Sequence, residues 1–314
     1  MEVGLVAIKS VLNRFIMVMS LMMLSLSSHA QVFKHEMGEV DLPKTPVKVV
    51  ALDWVLTEHL LALGVTPYGV ADVKGYQGWV VEPALPESVI SVGSRREPNL
   101  ELLAQIKPDL IVMSDAMSPA YEKLNAIAPT MVLSVYTDAH QPLEAAKQQL
   151  LTLGKVLNRS AQAEKVIADF DQTIQTNKQA LAAAKQPASP LLFIRFIGDK
   201  HIRVHGNQSL AGETISAMGL TNAWIQEGNT WGFSSTTIQQ LAPLQNAQVF
   251  YFGPLSEDDN KVLTTNPIWN VMGFVREHRV HELPAVWTFG GVKAAQRLSE
   301  LVTKQLLISE SGQE

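Results

Sequence analysis

The sequence predicts an α/β protein of two lobes with mainly parallel sheets, joined by one long backbone helix. Three observations carry that expectation. From Ser160 to about Gln186 there is no glycine and no proline, and Val166, Phe170, Ile174, Leu181 and Ala184 recur on one helical face. At 1.5 Å per residue such a rod spans roughly 40 Å, more than a small lobe needs for its own packing. On either side of it, apolar strands alternate with helices, the pattern of parallel α/β layers. Finally, the 314 residues are 46% hydrophobic and only 18% charged, which suits two packed cores and excludes a mainly disordered chain. A cleft between two lobes is a preferred place to hold a small ligand, and a helical joint resists wide hinge motion.

In chain order, residues 1–30 read as a secretory signal. Lys9 and Arg14 form the positive start, Phe15 to Leu26 is an apolar run too short to span a bilayer, and Ser28-His29-Ala30 is a small-x-small cleavage site. The mature chain is expected to begin at Gln31, in the periplasm; an uncleaved membrane anchor is the competing reading. Residues 31–46, with Pro43 and Pro46, read as a polar lead-in. Val47 to Leu52 is a buried strand, Leu56 to Leu63 a helix stopped by Gly64, and Tyr68 to Ala71 a second strand. Asp72 to Pro86 reads as a long loop carrying Tyr76 and Trp79. Asn99 caps a helix through Ile106. Leu110 to Met113 is a strand, Pro119 to Ala126 a helix, and Met131 to Val135 the last strand of the lobe.

Leu143 to Leu157 is a helix packed close to the rod, and Pro187 and Pro190 end the rod. Leu191 to Ile197 and His201 to Val204 form a hairpin around Gly198-Asp199. Leu210 to Met218 is a helix, followed by a loop with Trp224 and Trp231. Val249 to Phe252 and Val280 to Leu283 are strands, Thr265 to Met272 is a broken helix around Pro267, and Gly291 to Leu307 is the closing amphipathic helix. The expected division is 1–30 signal peptide, 31–158 N-terminal lobe, 159–187 linking helix and 188–314 C-terminal lobe.

Charge and motif narrow the function. With 25 Lys+Arg against 30 Asp+Glu the net charge is -5, and no basic block invites nucleic acid. Cysteine is absent, so an exported chain relies on its cores, and a lipid anchor on cysteine is excluded. There is no G-x-S-x-G, no G-x-G-x-x-G and no Walker loop, so no enzyme class announces itself. The closest metal-like spacings are His201 with His205, which lacks an acidic partner at a useful offset, and His278 with His281, three apart on a short strand and so facing opposite sides. Five scattered tyrosines argue against a tyrosine-lined site for bare ferric iron. Trp79, Trp231 and Trp287 fall in loops or at strand ends, while Trp54, Trp224 and Trp269 read as packing residues. Arg95 sits in the turn before a helix, where it is either a surface charge or a cation facing a cleft; a guanidinium in an apolar cleft needs an anionic or strongly accepting ligand.

The chain resembles the periplasmic ferric-hydroxamate-binding proteins, the soluble receptors of siderophore ABC importers. The likeness lies in Val50-Ala51-Leu52-Asp53-Trp54, Leu60-Leu61-Ala62-Leu63-Gly64 and Pro67-Tyr68-Gly69-Val70-Ala71-Asp72. It continues through Trp79-Val80, Glu82-Pro83, Glu97-Pro98-Asn99-Leu100-Glu101-Leu102-Leu103, Asn222-Ala223-Trp224, Trp231-Gly232 and Pro284-Ala285-Val286-Trp287. The resemblance implies a helical-backbone receptor that binds without catalysis and without a cofactor, as a monomer, and delivers a ferric hydroxamate siderophore to an inner-membrane ABC permease. It implies that Arg95 contacts the hydroxamate oxygens and that Trp79, Trp231 and Trp287 wall the ligand. A first-lobe tyrosine of that family falls on Met117, a nearby tryptophan on Met113 and a second-lobe tyrosine on Phe289, so Met113, Met117 and Phe289 are expected at the ligand with two hydroxyl donors missing. Glu122 matches one of two acidic residues that dock the permease; the second falls on uncharged Gln239, with Glu257 or Asp258 as substitutes. The same fold binding haem or a corrinoid is the alternative, and it would favour a histidine or tyrosine poised over the metal.

Overall fold

The computed structural model describes residues 31–184, 189–198 and 201–311. The expected signal peptide, Pro187 and the Asp199 of the hairpin turn lie outside the described residues. The described chain opens on an antiparallel hairpin, β1 (Gln31–His35) with β2 (Gly38–Leu42), where a mere lead-in is expected. Val40 and Leu42 alternate into the core and hold it down.

The first sheet is built from β3 (Val49–Ala51), β4 (Gly69–Val70), β5 (Ile90–Ser91), β6 (Leu110–Met113) and β7 (Thr130–Val132). Its order is β5-β4-β3-β6-β7, and every pairing is parallel. Around it lie α1 (Trp54–Ala62), α2 (Val73–Trp79), α3 (Leu100–Ile106) and α4 (Tyr121–Asn125), the last entered through a 3-10 turn at Asp115–Ala120. Asp53 caps α1 on the amide of Val55, and Asn99 caps α3 on Leu102, each satisfying an orphan donor. The loop expected over 72–86 is partly helical: α2 forms despite Gly75 and Gly78, because Asp72 caps it and Tyr76 buries completely beneath it.

Next, α5 (Pro142–Val156) lies against the rod, α6 (Ser160–Ala183), whose 24 residues make roughly 36 Å of helix. The buried stripe of α6 is Ala163, Val166, Phe170, Ile174 and Leu181, which includes four of the five predicted positions; the fifth, Ala184, is the half-buried residue that caps the helix. The stripe is interrupted by Asn177, whose amide donates to Ser299 Oγ at 3.0 Å.

The second sheet is mixed rather than mainly parallel. It comprises β8 (Leu191–Ile197), β9 (His201–His205), β10 (Phe233–Thr237), β11 (Gln248–Phe252) and β12 (Val280–Leu283), in the order β10-β9-β8-β11-β12. β8, β11 and β12 run parallel, while β9 and β10 are antiparallel additions. α7 (Leu210–Ala217), α8 (Glu257–Thr265), α9 (Pro267–Asn270) and α10 (Gly273–Arg276) cover it. The chain ends on α11 (Val292–Ser311), whose inner face shares one continuous core with α1, α5 and α6. The architecture is therefore a two-lobe α/β fold, with segments that leave the C-terminal ends of β3, β5, β6, β7 and β12 meeting at one place. That is where open α/β sheets hold ligands.

Candidate ligand-binding cleft

Arg95 is placed by the loop after β5. Ser94 Oγ accepts from the amides of Arg96 (3.3 Å) and Glu97 (2.9 Å), and Gly93, at φ 102°, lets Gly93 and Pro98 bridge. The guanidinium then lies flat over Trp54, 3.7 Å from its ring centre, with Trp287 at 5.4 Å. Trp54 is itself pinned by its indole N–H to the Ala71 carbonyl at 3.2 Å. Burial lowers the Arg95 pKa, and the charges of Asp53 and Asp72 oppose that shift; Asp72 stands 3.9 Å away. Burial likewise raises Asp53, against the amide of Val55 and the Arg95 charge. Arg95 Nε is buried without an acceptor among the described residues. The cation is pre-oriented and under-used.

Facing it is an aromatic wall. Tyr136, just beyond β7, stacks on Trp231 with ring centres 5.2 Å apart. Phe289 meets Trp231, Trp287 and Tyr136 at 5.3, 5.4 and 5.9 Å. Trp231 sits on a tight turn in which Asn229 Oδ1 accepts its amide at 3.0 Å and Gly232 adopts φ 75°. It is 41% exposed, unusual for an indole, and opens to the cleft. Arg95, Trp231, Trp287 and Phe289 thus come together around a narrow cleft of about 40 Å³, with Asp53, Ser114 and Tyr136 completing it. A broader, more open depression between α5 and α7 is lined by Glu144, Lys147 and Glu213 and holds no aromatic residue.

The wall is held from behind. Glu58, fully buried in α1, accepts from the amides of Gly291 (3.2 Å), Lys293 (2.8 Å) and Ala294 (3.3 Å), so a side chain of the first lobe caps α11. Burial pushes its carboxyl up to about 7, against those three amides. Tyr136 Oη donates to the Gly290 carbonyl at 2.9 Å. A Cβ on Gly290 or Gly291 would strike Ala294, Glu58 or His59, so the approach requires glycine at both. The Trp287–Phe289 segment is therefore anchored at its far end by Glu58 and Tyr136.

The expected site residues fall into four groups. Arg95, Trp231, Trp287 and Phe289 line the cleft. Trp79 ends α2 instead of standing in a loop; it packs on the Trp54–Tyr76–Val80 cluster and stacks against Arg195 of β8, 4.5 Å away. Met113 and Met117 require correction. Met113 has no exposure, because β6 is apolar on both faces, and Met117, on the 3-10 turn that follows, is 6% exposed; both pack into the same core cluster of the first lobe. Glu122 is exposed in the first turn of α4, and Gln239 is exposed on a 3-10 turn. Asp258, one of the proposed substitutes, is paired with Lys261 at 2.6 Å.

Asp53, Glu58, Ser114 and Tyr136 were not singled out by sequence reasoning. Their signal is position: Ser114 directly follows an apolar strand, Asp53 and Tyr136 lie two and four residues beyond one, and Glu58 interrupts a helix that is otherwise apolar nearly all round. Among the described residues no group of three or more His, Cys, Asp or Glu is arranged to hold a metal ion.

Residues 49–286 match the model of a family described as periplasmic binding protein. The chain is 40% identical to the iron(3+)-hydroxamate-binding protein FhuD of Escherichia coli over 250 residues, covering 80% of this chain and 83% of that one. It is 28% identical to a probable siderophore-binding lipoprotein of Bacillus subtilis over 291 residues, covering 87% and 86%. Its structure is similar to the Fe3+–Desferal-bound siderophore-binding protein FhuD of Vibrio cholerae, at TM-score 0.79 and 28% identity, covering 83% of this chain and 98% of that one.

Proposed function

Because the chain belongs to the periplasmic binding protein family, we propose that it is the soluble receptor that captures ferric hydroxamate siderophores in the cleft between its lobes and hands them to an inner-membrane ABC permease. The family consists of substrate-binding proteins, and the proposed role is binding without catalysis or a resident cofactor. One observation carries the ligand class: a single guanidinium, laid on indole faces and lacking an acceptor for its Nε, faces a wall of Trp231, Trp287 and Phe289. A siderophore that wraps Fe(III) completely leaves the receptor no coordination site to fill. What remains is an apolar shell for the indoles and partly negative oxygens for Arg95, each charge-assisted hydrogen bond contributing on the order of 1.5–3 kcal/mol.

The haem or corrinoid reading is less well served. Among the described residues no histidine lines the cleft, and the Tyr136 hydroxyl is committed to Gly290. In the proposed account the chain is exported by a cleavable leader over 1–30 and works as a periplasmic monomer. Residues 31–158 and 188–314 are its lobes and 159–187 its linking helix, and exposed Glu122 meets the permease.

Titration of intrinsic fluorescence tests the proposal, because three indoles surround Arg95 and the wall. Ferrichrome, ferrioxamine and ferric aerobactin are the panel. At least one should quench at micromolar concentration, while haem should produce no shifted Soret band. Absence of quenching by all three would remove the ligand assignment.

A further inference from the structure

We infer that the second lobe carries a separate anion subsite, Arg195 with Arg203, which reads an acidic group projecting from the organic shell of the ligand. The inference rests on the receptor reading above and adds to it the class of siderophore preferred: a ferric hydroxamate bearing a free carboxylate.

Arg195 of β8 and Arg203 of β9 are directly paired in the antiparallel register, so both side chains leave the same face of the sheet. Like charges placed opposite each other destabilise a strand pair unless something between them is negative. Among the described residues nothing is. Arg195 Nε and Nη2 are buried and have no hydrogen-bond acceptor. The acid whose field reaches Arg195 is Asp259, and its carboxylate is occupied by Ser256 Oγ at 2.8 Å and by the Gly198 amide at 2.9 Å. The face of the Arg195 guanidinium is covered by Trp79 at 4.5 Å. Stacking satisfies the face of that group but leaves its edge donors unmet, and a buried unmet donor is costly. Burial and the neighbouring Arg203 charge pull Arg195 down to about 10, which still leaves it charged at neutral pH.

The pair is tied to the cleft through aromatic contacts. Trp79 packs against the cluster containing Trp54, on whose ring Arg95 rests. Arg203 lies over Phe233 at 4.8 Å, and Phe233 meets the cleft-lining Phe289 at 5.6 Å. Arg95 and the Arg195–Arg203 pair therefore flank one aromatic body from opposite lobes. Arg95 is the donor for the hydroxamate oxygens around iron. The second pair, displaced along the ring cluster, suits a charge carried on the periphery of the complex. A carboxylate there would accept from the fork of Arg195 and neutralise both cations.

The experiment uses one iron core with two tails: the ferric complexes of desferrioxamine B acylated at its terminal amine with acetyl, which is neutral, or with succinyl, which ends in a carboxylate. Fluorescence titrations with the unaltered protein should show the succinyl complex binding about tenfold more tightly, and the advantage should shrink as salt is raised. Arg195→Gln and Arg203→Gln should each bring the two complexes close to parity while leaving acetyl-complex affinity within about twofold. Retained affinity for the acetyl complex also reports that the variant is folded. Equal affinities on the unaltered protein would overturn the subsite, as would variants that weaken both complexes alike. If neither complex quenches, the receptor reading fails first and the subsite falls with it.

Discussion

Arg95 and His205 show two ways in which a buried basic side chain is handled here. Arg95 keeps its charge because indole faces and two acids surround it. Its position in a turn was legible from sequence, although its orientation onto Trp54 was not, since Trp54 reads as an ordinary core residue. Arg95→Ala should weaken ferric hydroxamate binding at least about tenfold, the value of one charge-assisted hydrogen bond; unchanged affinity by fluorescence titration would strip Arg95 of the role. His205 gives up its charge. It lies boxed by Phe233, Phe252 and Phe289 with neither ring nitrogen bonded, and burial together with Arg195 and Arg203 drops its pKa to about 3. The unfolded chain takes up a proton below 6.5 and the folded chain does not. This stabilisation is therefore complete above pH 6.5 and is lost as pH falls toward 3. His205→Phe should narrow the difference between urea midpoints at pH 7 and pH 4; an unaltered difference would show that the ring is not the acid-sensitive element. Met113 and Met117 mark the limit of reasoning by correspondence. A matched position does not say which way a side chain points: Met113, on a strand apolar on both faces, and Met117, on the 3-10 turn that follows, both point into a core.

Among the elements, α2 and α1 are the least legible from the sequence, for different reasons. α2 contains Gly75 and Gly78, which weaken helix propensity by about 1 kcal/mol each relative to alanine. What outweighs them is tertiary: Gly75 lets Trp54 and Asp72 approach closely, and Tyr76 is completely buried. The sequence marks α1 but not the role of its buried Glu58 and His59, because one helix alone does not reveal that three amides of a segment more than 230 residues away require an acceptor. Glu58→Ala leaves those donors without a partner and should cost about 3 kcal/mol, with Glu58→Gln losing less because it keeps one acceptor. Burial holds the Glu58 pKa near 7, above the ordinary 4.5, so the protonated form is the one the fold favours. Its contribution is full below pH 4.5 and is lost as pH rises through 7. Glu58→Gln should flatten stability across that window. Chemical denaturation of both variants from pH 4 to 8 checks size and sign together; a glutamine variant with the original slope would contradict the assignment.

For the whole molecule, the rod and the alternating strands were legible because α6 and the parallel strands advertise themselves by periodicity and by continuous apolar runs. The antiparallel β9–β10 edge was only half legible, since Phe233–Thr237 is polar enough to read as loop. The consequence of the rod concerns motion. α6 is helical from Ser160 to Ala183 and shares its core with α5 and α11, so the lobes are joined by a packed column and not by two extended strands. Glu58 ties the first lobe to the start of α11, and Tyr136 on Trp231, Asp138 with Thr230, and Trp79 on Arg195 bridge the cleft. Hinge closure depends on a few residues absorbing large dihedral changes, and a continuous helix provides none. Small-angle scattering should therefore find a compact particle of about 19 Å radius of gyration for ~280 residues. Saturation with a quenching ferric hydroxamate should move that value by less than about 0.5 Å, ligand access coming from side-chain rearrangement around Trp231 instead. A contraction of an ångström or more would mean that the column bends, and that the bridging contacts belong to one of two states.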